Sequence, residues 1–154
     1  MRNNISFKDF TGNISSHKSE LLVCGIFEGG KVDAILDKML NSNLSKAIKI
    51  DSFSGNYKKN IFIYSDNIKR VLLLGLGKKK DYSSDRVREI GAIIASYANA
   101  SAIKSLSVYN KSFNLSNSKY SQSLTEGLVL GNYQFLDYKT VDAKPNSLNK
   151  IMFI

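Results

Sequence analysis

Two short runs, Leu21–Ile26 (LLVCGI) and Val71–Leu74 (VLLL), are apolar at every position. Side chains alternate across a strand, so a strand apolar at successive positions must be covered on both faces. That is the setting of a central strand in a sheet with helices above and below. Each run also breaks into glycine: Glu28-Gly29-Gly30 follows the first, and Gly75-Leu76-Gly77 with Lys78-Lys79-Lys80 follows the second. Strands that alternate with helical stretches predict an α/β fold built on one mostly parallel or mixed sheet.

The remaining elements fit around these two strands. Ile5–Phe7 reads as a short first strand, followed by a polar turn near Thr11–Ser16. A helix is expected from about Asp33, with Leu36, Leu40, Leu44 and Ile48 recurring every fourth residue and Ile35 and Met39 alongside. Asn41-Ser42-Asn43 weakens its middle, which leaves one helix or two open. Phe53–Lys59 is a polar turn region, Ile61–Tyr64 a strand, and Asp66-Asn67 a tight link. Ser83 or Ser84 caps the next helix, whose Val87, Ile90, Ile94 and Tyr97 form one apolar stripe. Ser105–Tyr109 is a further strand and Asn110–Lys119 a polar loop.

A last helix is expected from about Lys119 to Phe135, capped by Ser116 or Asn117, with Tyr120, Leu124, Leu128 and Phe135 on one side. Gly127 and Gly131 lie between them. A helical glycine costs about 1 kcal/mol relative to alanine, so two on one face predict close approach to a sheet or a second helix. Gly131→Ala is then expected to be tolerated and Gly131→Val to be overpacked. Lys139–Asn149, with the only proline, Pro145, reads as a surface connector, and Ile151–Ile154 begins a strand in which the chain ends.

A length of 154 residues suits a single domain, and 43% hydrophobic with 23% charged residues is an ordinary globular composition. No apolar run reaches the roughly 20 residues that span a bilayer, and MRNNISFKDF has no signal-peptide core. The single cysteine, Cys24, allows no internal disulfide and fits a reducing cytosol. The net charge of +9 is spread along the chain in small groups, with no arginine-rich helix and no aromatic–basic interleaving. Abundant Asn, Lys, Ile, Ser and Tyr match the codon habit of an A+T-rich genome, which raises lysine without selection for a partner.

Few residues point to chemistry. Gly25–Lys31 fits GxxxxGK after a strand and before a helix, yet Val32 offers no hydroxyl to magnesium and Glu28 puts a carboxylate inside the loop. Gly75-Leu76-Gly77 starts GxGxxG, but Lys80 stands at the last glycine. The lysines of Lys78–Lys80 suit a phosphate or a nucleic-acid backbone, and equally a solvated loop. His17, the only histidine, sits in a polar stretch and is expected to be exposed. Cys24 is expected to be an inert core thiol. Glu126 and Asp137 are the only acids on or just after the last helix, too few for paired-carboxylate or two-metal work. No catalytic, cofactor-binding or metal-binding residue is assigned.

Three segments in order, LLVCGIFEGGKV (Leu21–Val32), RVLLLGLGK (Arg70–Lys78) and SLTEGLVLGNYQFLDYK (Ser123–Lys139), resemble the amino-terminal domain of the M17 leucyl aminopeptidases. The last of them ends in the aromatic residues Tyr133, Phe135 and Tyr138. The resemblance runs from about Leu21 to Ile154. It implies a three-layer α/β/α sandwich with a mixed sheet, macro-domain-like, and a single non-catalytic domain over residues 1–154. It also implies a cytosolic parent enzyme that releases amino-terminal residues with two divalent metals, zinc or manganese. Those metals belong to a carboxy-terminal catalytic domain, whose NTDAEGR motif does not occur in this chain. The implied partners are that catalytic domain and further copies in a homohexamer. Rival readings are a basic DNA-binding module, as some bacterial members of the family are, and a macro-domain-like small-ligand binder. The Asn-Ala-Ala-Asn type of motif those binders carry is missing. The chain is then expected to be either a piece cut from a longer protein or the product of a truncated gene, and an ending inside a strand fits an excised piece.

Overall fold

The computed structural model describes residues 4–133 and 145–154. Its strands are β1 (Ser6–Asp9), β2 (Leu21–Phe27), β3 (Asn60–Ile63), β4 (Val71–Gly77), β5 (Ser105–Val108) and β6 (Lys150–Phe153). They form one sheet in the order β1-β6-β5-β2-β4-β3. Every neighbouring pair is parallel except β3 with β4. The helices are α1 (Ala34–Met39), α2 (Asn43–Ile50), α3 (Ser84–Ala100) and α4 (Ser118–Asn132).

Alternation along the central strands sorts their side chains into two cores. Leu22, Cys24, Val71 and Leu73 meet Leu36, Leu40 and Leu44 of the α1–α2 segment. Leu21, Val23, Leu72 and Leu74 meet Val87, Ile90 and Ile94 of α3 and Leu124 and Leu128 of α4. The fold is the expected α/β sandwich with a mixed sheet. Among the described residues no helix is long and apolar enough to cross a membrane.

The open choice between one helix and two resolves as two. Asn41 and Ser42 take positive φ of 56° and 61°, which stops α1 and restarts the chain as α2. Leu36, Leu40 and Leu44 are buried as the periodicity requires, whereas Ile35, one position off that row on α1, is 62% exposed. Asp33 caps α1, Ser83 caps α3 and Asn117 caps α4, each side chain accepting from a first-turn amide.

The last helix ends at Asn132; Phe135, Asp137 and Tyr138 lie outside the described residues. The connector before β6 is less superficial than its composition suggests. Leu148 is fully buried, and its amide donates to Asn99 Oδ1 at 3.0 Å. Asn99 Nδ2 in turn donates to Asn132 Oδ1 at 2.8 Å, so three elements close on one amide network.

Candidate functional site

β2 lies between β4 and β5, and its connection leaves the sheet on the face opposite to theirs. The chain leaving β2 enters α1 on one face, whereas β4 and β5 feed α3 and α4 on the other. Such a divergence opens a crevice beyond the carboxyl ends of the strands. A cavity of about 310 Å³ sits there, lined by Phe27, Lys79, Tyr82, Lys111, Asn114 and Tyr120. A second, of about 210 Å³, shares Phe27 and Lys111 and adds Gly30, Lys31, Asp33 and Ser112.

The walls are held by specific contacts. Tyr82 stands edge-on to Phe27 and to Tyr120, with ring centroids 5.0 and 4.7 Å apart. Its hydroxyl donates to the Phe113 carbonyl at 2.6 Å, and burial pushes its pKa far up, so it stays a neutral donor. The Gly25 amide donates to Ser112 Oγ at 3.0 Å, which pins the loop after β5 onto β2. Lys111 Nζ lies 2.9 Å from Asp33 Oδ2. Partial burial opposes ionisation of Asp33, but Lys111, the Leu36 amide and Tyr109 outweigh it and hold the carboxyl below its ordinary range. Tyr109 is correspondingly raised to about 12, by burial first and then by Asp33. Among the described residues Lys31 and Lys79 have no carboxylate within ion-pair distance.

The glycines of both motifs make structural contacts. The Gly30 amide donates to the Phe27 carbonyl at 2.9 Å and the Glu28 amide to that of Gly77 at 2.9 Å. Gly25–Lys31 is thus a closed turn bound to the end of β4 rather than an open cradle. Gly75 and Gly77 make room for residues 55–58, whose backbone crosses directly against them.

His17 corrects the sequence reading. It is 8% exposed, its Nε2 hydrogen-bonds the hydroxyl of buried Ser107, and Phe10 packs edge-on against its ring. A polar neighbourhood in sequence hid this, because Ser107 arrives from a strand 90 residues away. Burial first, and then the positive charge of Lys150, lower the His17 pKa from the ordinary 6.5. A depressed folded pKa means that the neutral ring contributes stability above 6.5, and that this contribution is lost as pH falls through the lower folded value. Acidification from pH 7 to 5 is therefore expected to lower the denaturation midpoint of the parent more than that of His17→Gln. Equal losses in the two proteins would remove His17 as the cause.

Cys24 is 1% exposed and burial pushes its thiol up to about 12, so it is the inert core residue expected of an apolar strand. Glu126 is engaged structurally, accepting from Arg88 Nε at 2.9 Å and from Gln122 at 3.0 Å. Among the described residues no three of His, Cys, Asp and Glu come together as metal ligands. No donor set for the two implied metals stands among the described residues. Sequence reasoning missed the cleft because its lining comes from three loops far apart in the chain, and only the strand order brings them together.

Comparisons with known proteins agree with this architecture. The model of the cytosol aminopeptidase family, N-terminal domain, matches residues 23–142. A probable cytosol aminopeptidase of Roseiflexus castenholzii is 31% identical over 149 residues, covering 91% of this chain and 28% of the relative. The chain spans less than a third of the length of the curated relatives it matches. A mutant of tomato leucine aminopeptidase superposes with a TM-score of 0.80 at 21% identity, over 97% of this chain and 32% of that one. A Trypanosoma brucei macrodomain superposes at 0.66 with 14% identity, over 96% and 60% respectively, which shows the shared macro-domain-like fold. The sandwich, its strand order and the family match together make this chain the N-terminal domain of the cytosol aminopeptidase family, M17.

Proposed function

We propose that this domain is the non-catalytic partner of a carboxy-terminal aminopeptidase domain, serving assembly and access to that domain's active site. The observation that carries the reading is the match to the family's N-terminal domain in relatives more than three times as long. The parent is then a cytosolic enzyme that removes amino-terminal residues from peptides, and it works as a homohexamer. Two divalent metals, zinc or manganese, supply its Lewis-acid chemistry from ligands in the catalytic domain. Exposed Val129 and Leu130 at the end of α4, and Ile50 at the end of α2, offer apolar surface for contacts between domains or copies.

Metal-assisted hydrolysis requires anionic ligands, a positioned water and a stabiliser for the developing oxyanion. This chain alone is expected to release no leucine from a leucine chromogenic anilide, with zinc, manganese or neither. The same protein joined to its natural downstream sequence is expected to turn it over. Activity of the 154-residue chain that survives repurification would overturn the assignment.

The rival DNA-binding reading rests on the +9 charge. Scattered lysines give counterion-release binding without base readout. Fluorescence anisotropy with two unrelated duplexes is expected to show weak binding at low salt, equal for both, that disappears at physiological salt. Salt-resistant preference for one duplex would promote that reading.

A further inference from the structure

We infer that the cleft at the carboxyl ends of β2, β4 and β5 is a binding site for a small aryl phosphomonoester. Two stretches were weighed for phosphate in the sequence, Gly25–Lys31 and Lys78–Lys80, and the first is a closed turn rather than a phosphate loop. The fold nevertheless brings a lysine from each to adjoining cavities, Lys79 to one and Lys31 to the other. Lys111, from the loop after β5, borders both. Lys31 and Lys79 have no carboxylate partner among the described residues, so their ammonium groups remain available to an anion.

The one lining carboxylate, Asp33, is committed to Lys111 and to the Leu36 amide. Three ammoniums against one carboxylate leave the cleft positive, and a phosphomonoester is a compact dianion with three acceptor oxygens at neutral pH. The organic part follows from the other wall. Phe27, Tyr82 and Tyr120 form a continuous aromatic side beside Lys79, which suits a flat apolar group of one ring. A cavity of about 310 Å³ is at the small end of ligand pockets, which excludes large ligands. The site is independent of the aminopeptidase reading, because it uses only this domain's residues.

The test is ¹H–¹⁵N correlation spectroscopy of this chain titrated with phenyl phosphate, inorganic phosphate and benzoate. Phenyl phosphate is expected to give saturable shifts confined to the amides of Phe27, Gly30, Lys31, Tyr82 and Ser112. Inorganic phosphate and benzoate are expected to bind more weakly. The double variant Lys31→Ala/Lys79→Ala should weaken phenyl phosphate at least about tenfold. Lys46→Ala/Lys49→Ala, which removes the same charge from exposed positions on α2, should leave it unchanged. Unaltered thermal midpoints in both variants keep a binding loss from being read as unfolding. Shifts spread over all surface lysines, equal weakening by the two double variants, or inorganic phosphate binding as tightly as the ester would each overturn the proposal.

Discussion

Gly127→Val is expected to cost this domain about 3 kcal/mol, a large part of the roughly 5–15 kcal/mol that holds a domain folded. α3 and α4 touch through glycines: Gly91 on the first, Gly127 and Gly131 on the second. A Cβ at Gly127 would land on the Arg88 carbonyl oxygen, and one at Gly91 would lie 2.5 Å from that of Leu124. These obstacles are backbone, which has no rotamer to escape into. One helix must therefore move bodily, separating Val87, Ile90 and Ile94 from Leu124 and Leu128 in the core they share.

Alanine is not a benign control here, contrary to the sequence expectation for Gly131. Its Cβ would stand 2.6 Å from Ala92 Cα, so the gain of about 1 kcal/mol in helix propensity is outweighed by the forced separation. Urea denaturation followed by circular dichroism is expected to rank the parent above Gly131→Ala, and that above Gly127→Val. A valine variant as stable as the parent would disprove the close helix contact.

Gly75→Ala is expected to lose about 2–3 kcal/mol by a separate route. The backbone of residues 55–59 crosses β4 at this point. Gly75 donates to the Lys59 carbonyl at 2.7 Å, Lys58 to that of Gly75 at 3.1 Å, and Gly77 to that of Gly55 at 2.9 Å. A methyl group at Gly75 would collide with the Asn56 carbonyl oxygen and with Gly55, displacing the segment and breaking this ladder. Tyr57 would go with it, and its hydroxyl donates to Glu89 of α3 at 2.7 Å. Hydrogen exchange is expected to quicken at Lys58, Gly75 and Gly77 before the rest of the sheet. Unchanged exchange there, with unchanged stability, would show that the crossing tolerates a side chain.

The pattern of apolar runs and helical stretches settled an α/β class, because a run covered on both faces has few architectures to sit in; the macro-domain-like sandwich came from the family resemblance, since the pattern alone fits a flavodoxin-like fold as well. Leu21–Ile26 and Val71–Leu74 became the interior strands β2 and β4, and each divides its side chains between the two cores. Two helix caps were legible to within one residue, Ser83 from the pair Ser83 or Ser84 and Asn117 from the pair Ser116 or Asn117, since capping is a contact within a few residues; the cap at Asp33 was not read, only a helix start near it. Gly127 and Gly131 announced a close contact by their cost in a helix, but not that the neighbour is α3 or that Gly91 shares it. His17 and Ser107, and Lys31 with Lys79 and Lys111, were invisible as groups. Their members are far apart in the chain, and a composition or a period carries no information about which loops a strand order will set side by side. Tertiary structure decided those groupings, because the crossovers of β2, β4 and β5 to opposite faces determine which loops border one cleft.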